Sequence, residues 1–143
     1  MIRSKNDLQT LKNFSLIINS TSVGFDQWVK RRNKYLNLKF FSPLGSTDKI
    51  IPVERKNIKK YLRKNLFYIL NNLKETNNFF IKNNQCRVLD LIYNPLETTL
   101  MKFAKKNRNS SYNGIEINKK QAIEGFSYVN SRIKKLKIKN LMQ

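Results

Sequence analysis

Apolar residues in this chain fall into short compact runs that alternate with longer stretches of three- and four-residue spacing. The first run, Phe14-Ser15-Leu16-Ile17-Ile18, stops at Asn19-Ser20-Thr21-Ser22-Val23-Gly24. A short apolar run ended by small polar residues and glycine predicts a buried, parallel-type strand and a loop at its carboxyl end, where ligands commonly bind in open α/β sheets. Residues 7–12 ahead of it suit a short helix. Further on, Leu36, Leu38 and Phe40 alternate with Asn37 and Lys39, the pattern of a short half-exposed strand before Ser42-Pro43.

Helical spacing then takes over. Ile58, Leu62, Leu66, Ile69, Leu70 and Leu73 recur at steps of three and four behind Pro52, predicting an amphipathic helix over residues 53–78. Its outer face carries Lys59, Lys60, Arg63 and Lys64, read as solvated lysine and arginine, while Phe79 and Phe80 are read as core or hinge contacts. Arg87 to Tyr93 forms a second strand-like run broken by Asn94-Pro95. Leu96, Leu100, Phe103 and Ala104 follow at helical spacing, with Glu97 near the positive end of that helix. Tyr112 marks a very short third strand and Asn113-Gly114 a turn. A last helix from Asn118 places Ala122, Phe126, Val129, Ile133 and Leu136 on one face, ending in a frayed, solvated tail over residues 134–139. Strands alternating with helices predict a single α/β domain with a small parallel sheet of about three strands flanked by helices.

Composition narrows the chemistry. The 143 residues include nine Phe and six Tyr, enough for a real core. The single cysteine, Cys86, excludes an intramolecular disulfide, and the absence of histidine removes a His-based triad and a common zinc ligand. No metal site is expected. No apolar run reaches the roughly 18 residues of a membrane span, so a cytoplasmic protein is expected. Lys and Arg number 29 against nine Asp and Glu, a net charge of +20 that attracts polyanions at low salt. The basic residues are spread along the chain among many asparagines, which fits a compositional bias better than an evolved nucleic-acid surface.

Three segments carry a resemblance. Leu16-Ile17-Ile18-Asn19-Ser20-Thr21-Ser22-Val23-Gly24-Phe25 is similar to the shikimate dehydrogenase family's stretch of Asn, a small residue, Thr, Ser or Pro, any residue, Gly and Met. Asp90-Leu91-Ile92-Tyr93-Asn94-Pro95-Leu96-Glu97-Thr98 is close to that family's Asp-Leu-Ile-Tyr-Asn-Pro-Leu-Glu-Thr, and Asn113-Gly114-Ile115-Glu116-Ile117 with Gln121-Ala122 resembles a third motif in the same order. The resemblance implies the later part of a Rossmann-like, doubly wound NADP-binding domain, with a long basic helical insert at about residues 26–86 where the family has a shorter segment. It implies that the backbone of Leu91 and Gly114 approaches the nicotinamide end of NADP, and that Thr21 and Ser22 line the same cleft. It further implies that the Tyr93 hydroxyl and the Gln121 amide hold shikimate. Tyr and Gln both donate and accept hydrogen bonds to hydroxyls and carboxylate, and glycine lets backbone come close to a planar ring.

Departures from the family set the expected activity. Glu116 and Ile117 replace the family's second glycine and its methionine. Among only four glycines there is no Gly-x-Gly-x-x-Gly-type loop to cradle a pyrophosphate, and no Asn-Arg-Thr-type segment for a 2′-phosphate. The family's substrate domain, with its catalytic Lys and Asp, has no counterpart, so no catalytic residue is assigned. The expectation is a truncated or split homologue of an enzyme that reduces 3-dehydroshikimate to shikimate with NADPH, inactive by itself. A missing front half would expose the strand at Leu16 as an apolar edge, so a homodimer, pairing with a separate N-terminal half, or poor solubility is expected. The alternative is a basic RNA-binding or accessory protein on a relic half-domain, for which Lys30, Arg31, Arg32, Lys59, Lys60 and Arg63 would form one patch around an aromatic such as Trp28.

Overall fold

The computed structural model describes the backbone of residues 15–141 and the side chains of residues 15–132. In chain order the elements are β1 (Leu16–Asn19), β2 (Trp28–Arg31), β3 (Lys34–Asn37), α1 (Ile58–Lys82), β4 (Arg87–Asp90), α2 (Thr99–Lys106), β5 (Ser110–Asn113) and α3 (Ile115–Leu141). The proposed helix over residues 7–12 lies outside the described residues.

The fold is α/β, built on a three-stranded parallel sheet in the order β1-β4-β5. Ile17 pairs with Val88 and Val88 with Ser111; the next row along the sheet is Ile18, Leu89 and Tyr112. Parallel neighbours need long crossovers, and the segment between β1 and β4 holds a β2–β3 hairpin and α1. This architecture is that of a partial Rossmann-like domain. β1 stands at a sheet edge, as expected, and Leu16 and Ile18 are more than half exposed.

Alternation along the strands sorts their side chains between two faces. Ile17 and Val88 pack with Phe79 and Phe80 of α1 and with Leu100 and Ala104 of α2. Both helices therefore cover one face. A second core joins the hairpin to the first half of α1 through Leu36, Phe41, Val53, Tyr61 and Ile69. Tyr61 donates its hydroxyl to the Asn37 carbonyl at 2.6 Å, and burial pushes its phenol up to about 12.

The structure corrects several boundaries and one helix face. α1 begins at Ile58, not residue 53, because Asn57 caps it by accepting from the Lys60 amide, while Val53 is drawn into a bridge with Tyr35. Its end lies at Lys82. The buried stripe runs through Tyr61, Asn65, Ile69, Asn72, Thr76, Phe79 and Phe80, leaving Ile58, Leu66 and Leu70 exposed. The reason is polar. Residues 42–51 have no ladder of their own, and Asn65 and Asn72 meet their backbone: Asn65 bonds both the amide and the carbonyl of Ile51, and Asn72 does the same at Ser42. Gly45 lies where any Cβ would collide with Asn72.

Elsewhere, the strand expected at Leu36, Leu38 and Phe40 is the second arm of a hairpin, β3, closed by Arg32 in the left-handed region at φ 53°. The turn lacks the glycine that signals such hairpins. α2 starts only at Thr99, capped by Thr98, so Leu96 and Glu97 precede it, and Glu97 pairs with Lys105 at 2.7 Å. α3 starts at Ile115 rather than Asn118 and stays helical through residues 134–139. Its predicted core face is uncovered: Phe126 is 73% and Val129 53% exposed.

Candidate functional site at the ends of the parallel strands

Three segments remote in sequence converge at the carboxyl ends of β1, β4 and β5. Asp90 is the centre. Its carboxylate accepts from the Asn19 amide side chain at 3.0 Å, the Ile92 backbone at 3.1 Å and the Thr98 hydroxyl at 2.5 Å. Asp90, Asn19 and Thr98 are all buried. Burial raises the Asp90 carboxyl above its ordinary value of 3.8, although all three donors act to lower it.

The loop after β1 is shaped by Asn19. Its side-chain oxygen accepts from the backbone and hydroxyl of Thr21, and its backbone carbonyl accepts from the Leu91 amide. Gly24 closes that loop at φ 107°, a conformation suited to glycine, against Ile92 and Thr98. The Asp26 amide then donates to the Asn94 carbonyl at 3.1 Å, tying the first segment to the second. The third segment joins through Asn113, which donates to Leu96, and through Asn118, which donates to the carbonyls of Gly114 and Leu91.

Thr21 and Ser22 are exposed on the β1 loop, but the Thr21 hydroxyl is engaged with Asn19 and with the Val23 amide. Leu91 is half-buried, with its amide held by Asn19 and its carbonyl by Asn118. Gly114 is buried, and a Cβ there would drive into the Leu91 backbone, within 2.6 Å of its carbonyl carbon. The bare side of this glycine is filled by Leu91. Tyr93 stands 49% exposed, braced edge-on by Phe25 at 6.1 Å, and its hydroxyl makes no hydrogen bond among the described residues. Gln121 is exposed on α3 and hydrogen-bonds to no other member of the cluster. The convergence thus gathers Thr21, Ser22, Leu91, Tyr93 and Gly114, and leaves Gln121 apart.

Asn19, Asp90 and Thr98 were not singled out as site residues from sequence, yet they hold the cluster together. The signal was the carboxyl-end position of Asn19 and Asp90 on two apolar strands, where buried polar side chains need partners.

No family model, curated protein or solved structure matches the chain.

Among the described residues, no helix is long and apolar enough to cross a membrane. The Leu91 amide and carbonyl are taken up by Asn19 and Asn118, the Gly114 amide donates to the Ile92 carbonyl, and the sequence holds no glycine-rich turn ahead of a helix of the kind that receives a pyrophosphate. Glu116, beside Gly114, is exposed and paired with Lys119 at 2.9 Å. Of the basic candidates, Lys59, Lys60 and Arg63 share an open recess with Asn57 at the start of α1, while Lys30, Arg31 and Arg32 are exposed on the hairpin. Trp28 packs its ring edge-on against buried Tyr61 at 5.5 Å, so it serves the core beneath the hairpin.

Proposed function

We propose that this chain is a shikimate dehydrogenase-type half-domain whose surviving function is on the substrate side, with Tyr93 as the principal contact, and that alone it does not reduce 3-dehydroshikimate. The observation that carries this reading is the meeting of its three motif-like segments around Asp90, which leaves the Tyr93 ring braced and half exposed, with its hydroxyl making no hydrogen bond among the described residues. A phenol held by an aromatic neighbour at the carboxyl ends of parallel strands suits hydrogen bonding to a hydroxyl or carboxylate of a small polar acid. Thr21, Ser22 and Gln121 are accessory polar groups on the same reading. NADP would need a phosphate cradle from a second chain, and hydride transfer needs a proton-handling pair that the described residues do not assemble.

Heteronuclear NMR of the purified chain, titrated with shikimate, with NADPH and with a short RNA in parallel, tests this. Shikimate is expected to shift Tyr93 and its neighbours, with no turnover on adding NADPH and 3-dehydroshikimate. Silence at Tyr93 with shifts across the Lys59, Lys60 and Arg63 surface would replace this reading with a nucleic-acid one. Turnover by the chain alone would overturn its inactivity.

A further inference from the structure

Among the described residues, two apolar surfaces lack a cover. One is the second face of the parallel sheet. Leu16, Ile18 and Tyr112 point away from α1 and α2 and are 51%, 54% and 60% exposed, with half-buried Leu89 between Ile18 and Tyr112. Parallel sheets are ordinarily covered on both faces, because their strands are apolar on both. The other is α3. Ile123, Phe126, Tyr128 and Val129 are each more than half exposed, and none of residues 119–132 is buried.

α3 is the element that follows β5 directly, with only Gly114 between them. Its first turn is pinned, since Asn118 donates to the carbonyls of Gly114 and Leu91. From there the helix leaves its own body instead of returning over the open sheet. Its apolar residues Ala122, Phe126 and Val129 recur at steps of four and three, a stripe suited to lying on a flat apolar surface, and the sequence continues that spacing to Ile133 and Leu136. At 27 residues, α3 is about 40 Å long, whereas a four-residue strand spans only about 13 Å. One helix has ample length to leave its own domain and cover the sheet of another.

We propose that two copies of this chain exchange α3, each laying the Phe126 and Val129 stripe over the partner's open face at Leu16, Ile18, Leu89 and Tyr112. Exchange is reciprocal and closed, so one two-fold axis covers both open sheets and both stripes at once. The six residues Leu16, Ile18, Tyr112, Ile123, Phe126 and Val129 from two copies expose apolar surface on the order of the roughly 1,200 Å² that small stable interfaces bury. Charge opposes the assembly, because each copy carries +20, and salt screens that repulsion. Self-association that strengthens with added salt separates this occupant from an acidic protein or an anionic surface, whose binding salt would weaken.

Sedimentation of the full chain across concentration and salt, followed by disulfide mapping, tests the exchange. The chain is expected to dimerise, more tightly at high salt. Phe126→Glu and Ile18→Lys are each expected to raise the dimer Kd by about 100-fold or more, since each change enters the interface twice. Phe126 is exposed on a free helix, so its variant keeps the fold even if Ile18→Lys strains a strand. In a mixture of isotope-labelled Ile18→Cys chains and unlabelled Phe126→Cys or Val129→Cys chains, oxidation should link labelled to unlabelled peptide; Cys86 is only 2% exposed and stays out of the reaction. A monomer at every concentration and salt overturns the proposal. So does a dimer linked only helix to helix, or a double variant that links within a single chain. None of these outcomes depends on shikimate binding, so this inference and the functional reading fail separately.

Discussion

The two faces of the parallel sheet are built from the same twelve-residue framework and have opposite fates. On one, Val88 is completely buried beneath Leu100, Ala104 and Phe80; on the other, Ile18 and Tyr112, one residue further along their strands, are more than half exposed. Strand alternation sends neighbours to opposite faces, so one residue step separates a core position from an open one. Apolar character alone did not decide burial here. What decided it was where the crossover helices α1 and α2 landed.

The sharpest way to break this contrast is to truncate one residue on each face. Leu100→Ala, beneath the covered face, is expected to cost about 3 kcal/mol in urea unfolding, from lost transfer energy and the cavity left behind. Ile18→Ala, measured at dilutions where the chain is monomeric, should cost less than about 0.5 kcal/mol. Equal losses would mean that something covers the open face in the single chain.

At the sheet's carboxyl end, Asp90→Ala strips the buried Asn19 amide, Thr98 hydroxyl and Ile92 N–H of their common acceptor, and should cost about 2–3 kcal/mol. Asp90→Asn separates charge from shape. Because burial raises the folded-state carboxyl above 3.8, Asp90 favours the folded chain most fully below its unfolded value, and that contribution is lost as pH rises through the folded value. Wild type should therefore lose stability relative to Asp90→Asn as pH rises from the unfolded value through the higher folded one. A flat difference would show that the three donors offset burial.

Gly114→Ala should destabilise by about 1–2 kcal/mol, because the new methyl meets Leu91 backbone instead of a movable side chain. An amide-exchange map should show the opening confined to the junction of β5 and α3. A small effect also belongs to the surface ion pair. Lys39 pairs with Asp26 at 2.7 Å and lowers that carboxyl below 3.8, with Asn37 adding a second hydrogen bond. Lys39→Ala should cost about 0.5 kcal/mol at neutral pH. Here the sign is opposite to Asp90: the contribution is present above the unfolded value and vanishes as pH falls through the folded one.

Much of this protein was readable in one dimension. Strand positions at Leu16 and Arg87 followed from short apolar runs broken by polar or proline-containing turns, the third from Tyr112 ahead of the Asn113-Gly114 turn, and three helices followed from their spacing. Boundaries shifted where side-chain capping overruled periodicity, as Asn57 and Thr98 did at the starts of α1 and α2. The buried stripe of α1 was misread because Asn65 and Asn72 look like surface residues until the loop backbone they satisfy is placed beside them. The hairpin escaped notice because Arg32 adopts its positive φ without a glycine to announce it.

The candidate site divided in the same way. The family resemblance marked Thr21, Ser22, Leu91, Tyr93 and Gly114 as separate motif positions along the sequence. Only tertiary structure brought them around Asp90, and only it turned Gly114 toward Leu91 while leaving Tyr93 open to solvent. Apolar spacing determined that α3 has a face to bury. Whether that face met its own sheet was decided by the direction in which the chain left Gly114, which depends on long-range packing that no local pattern encodes.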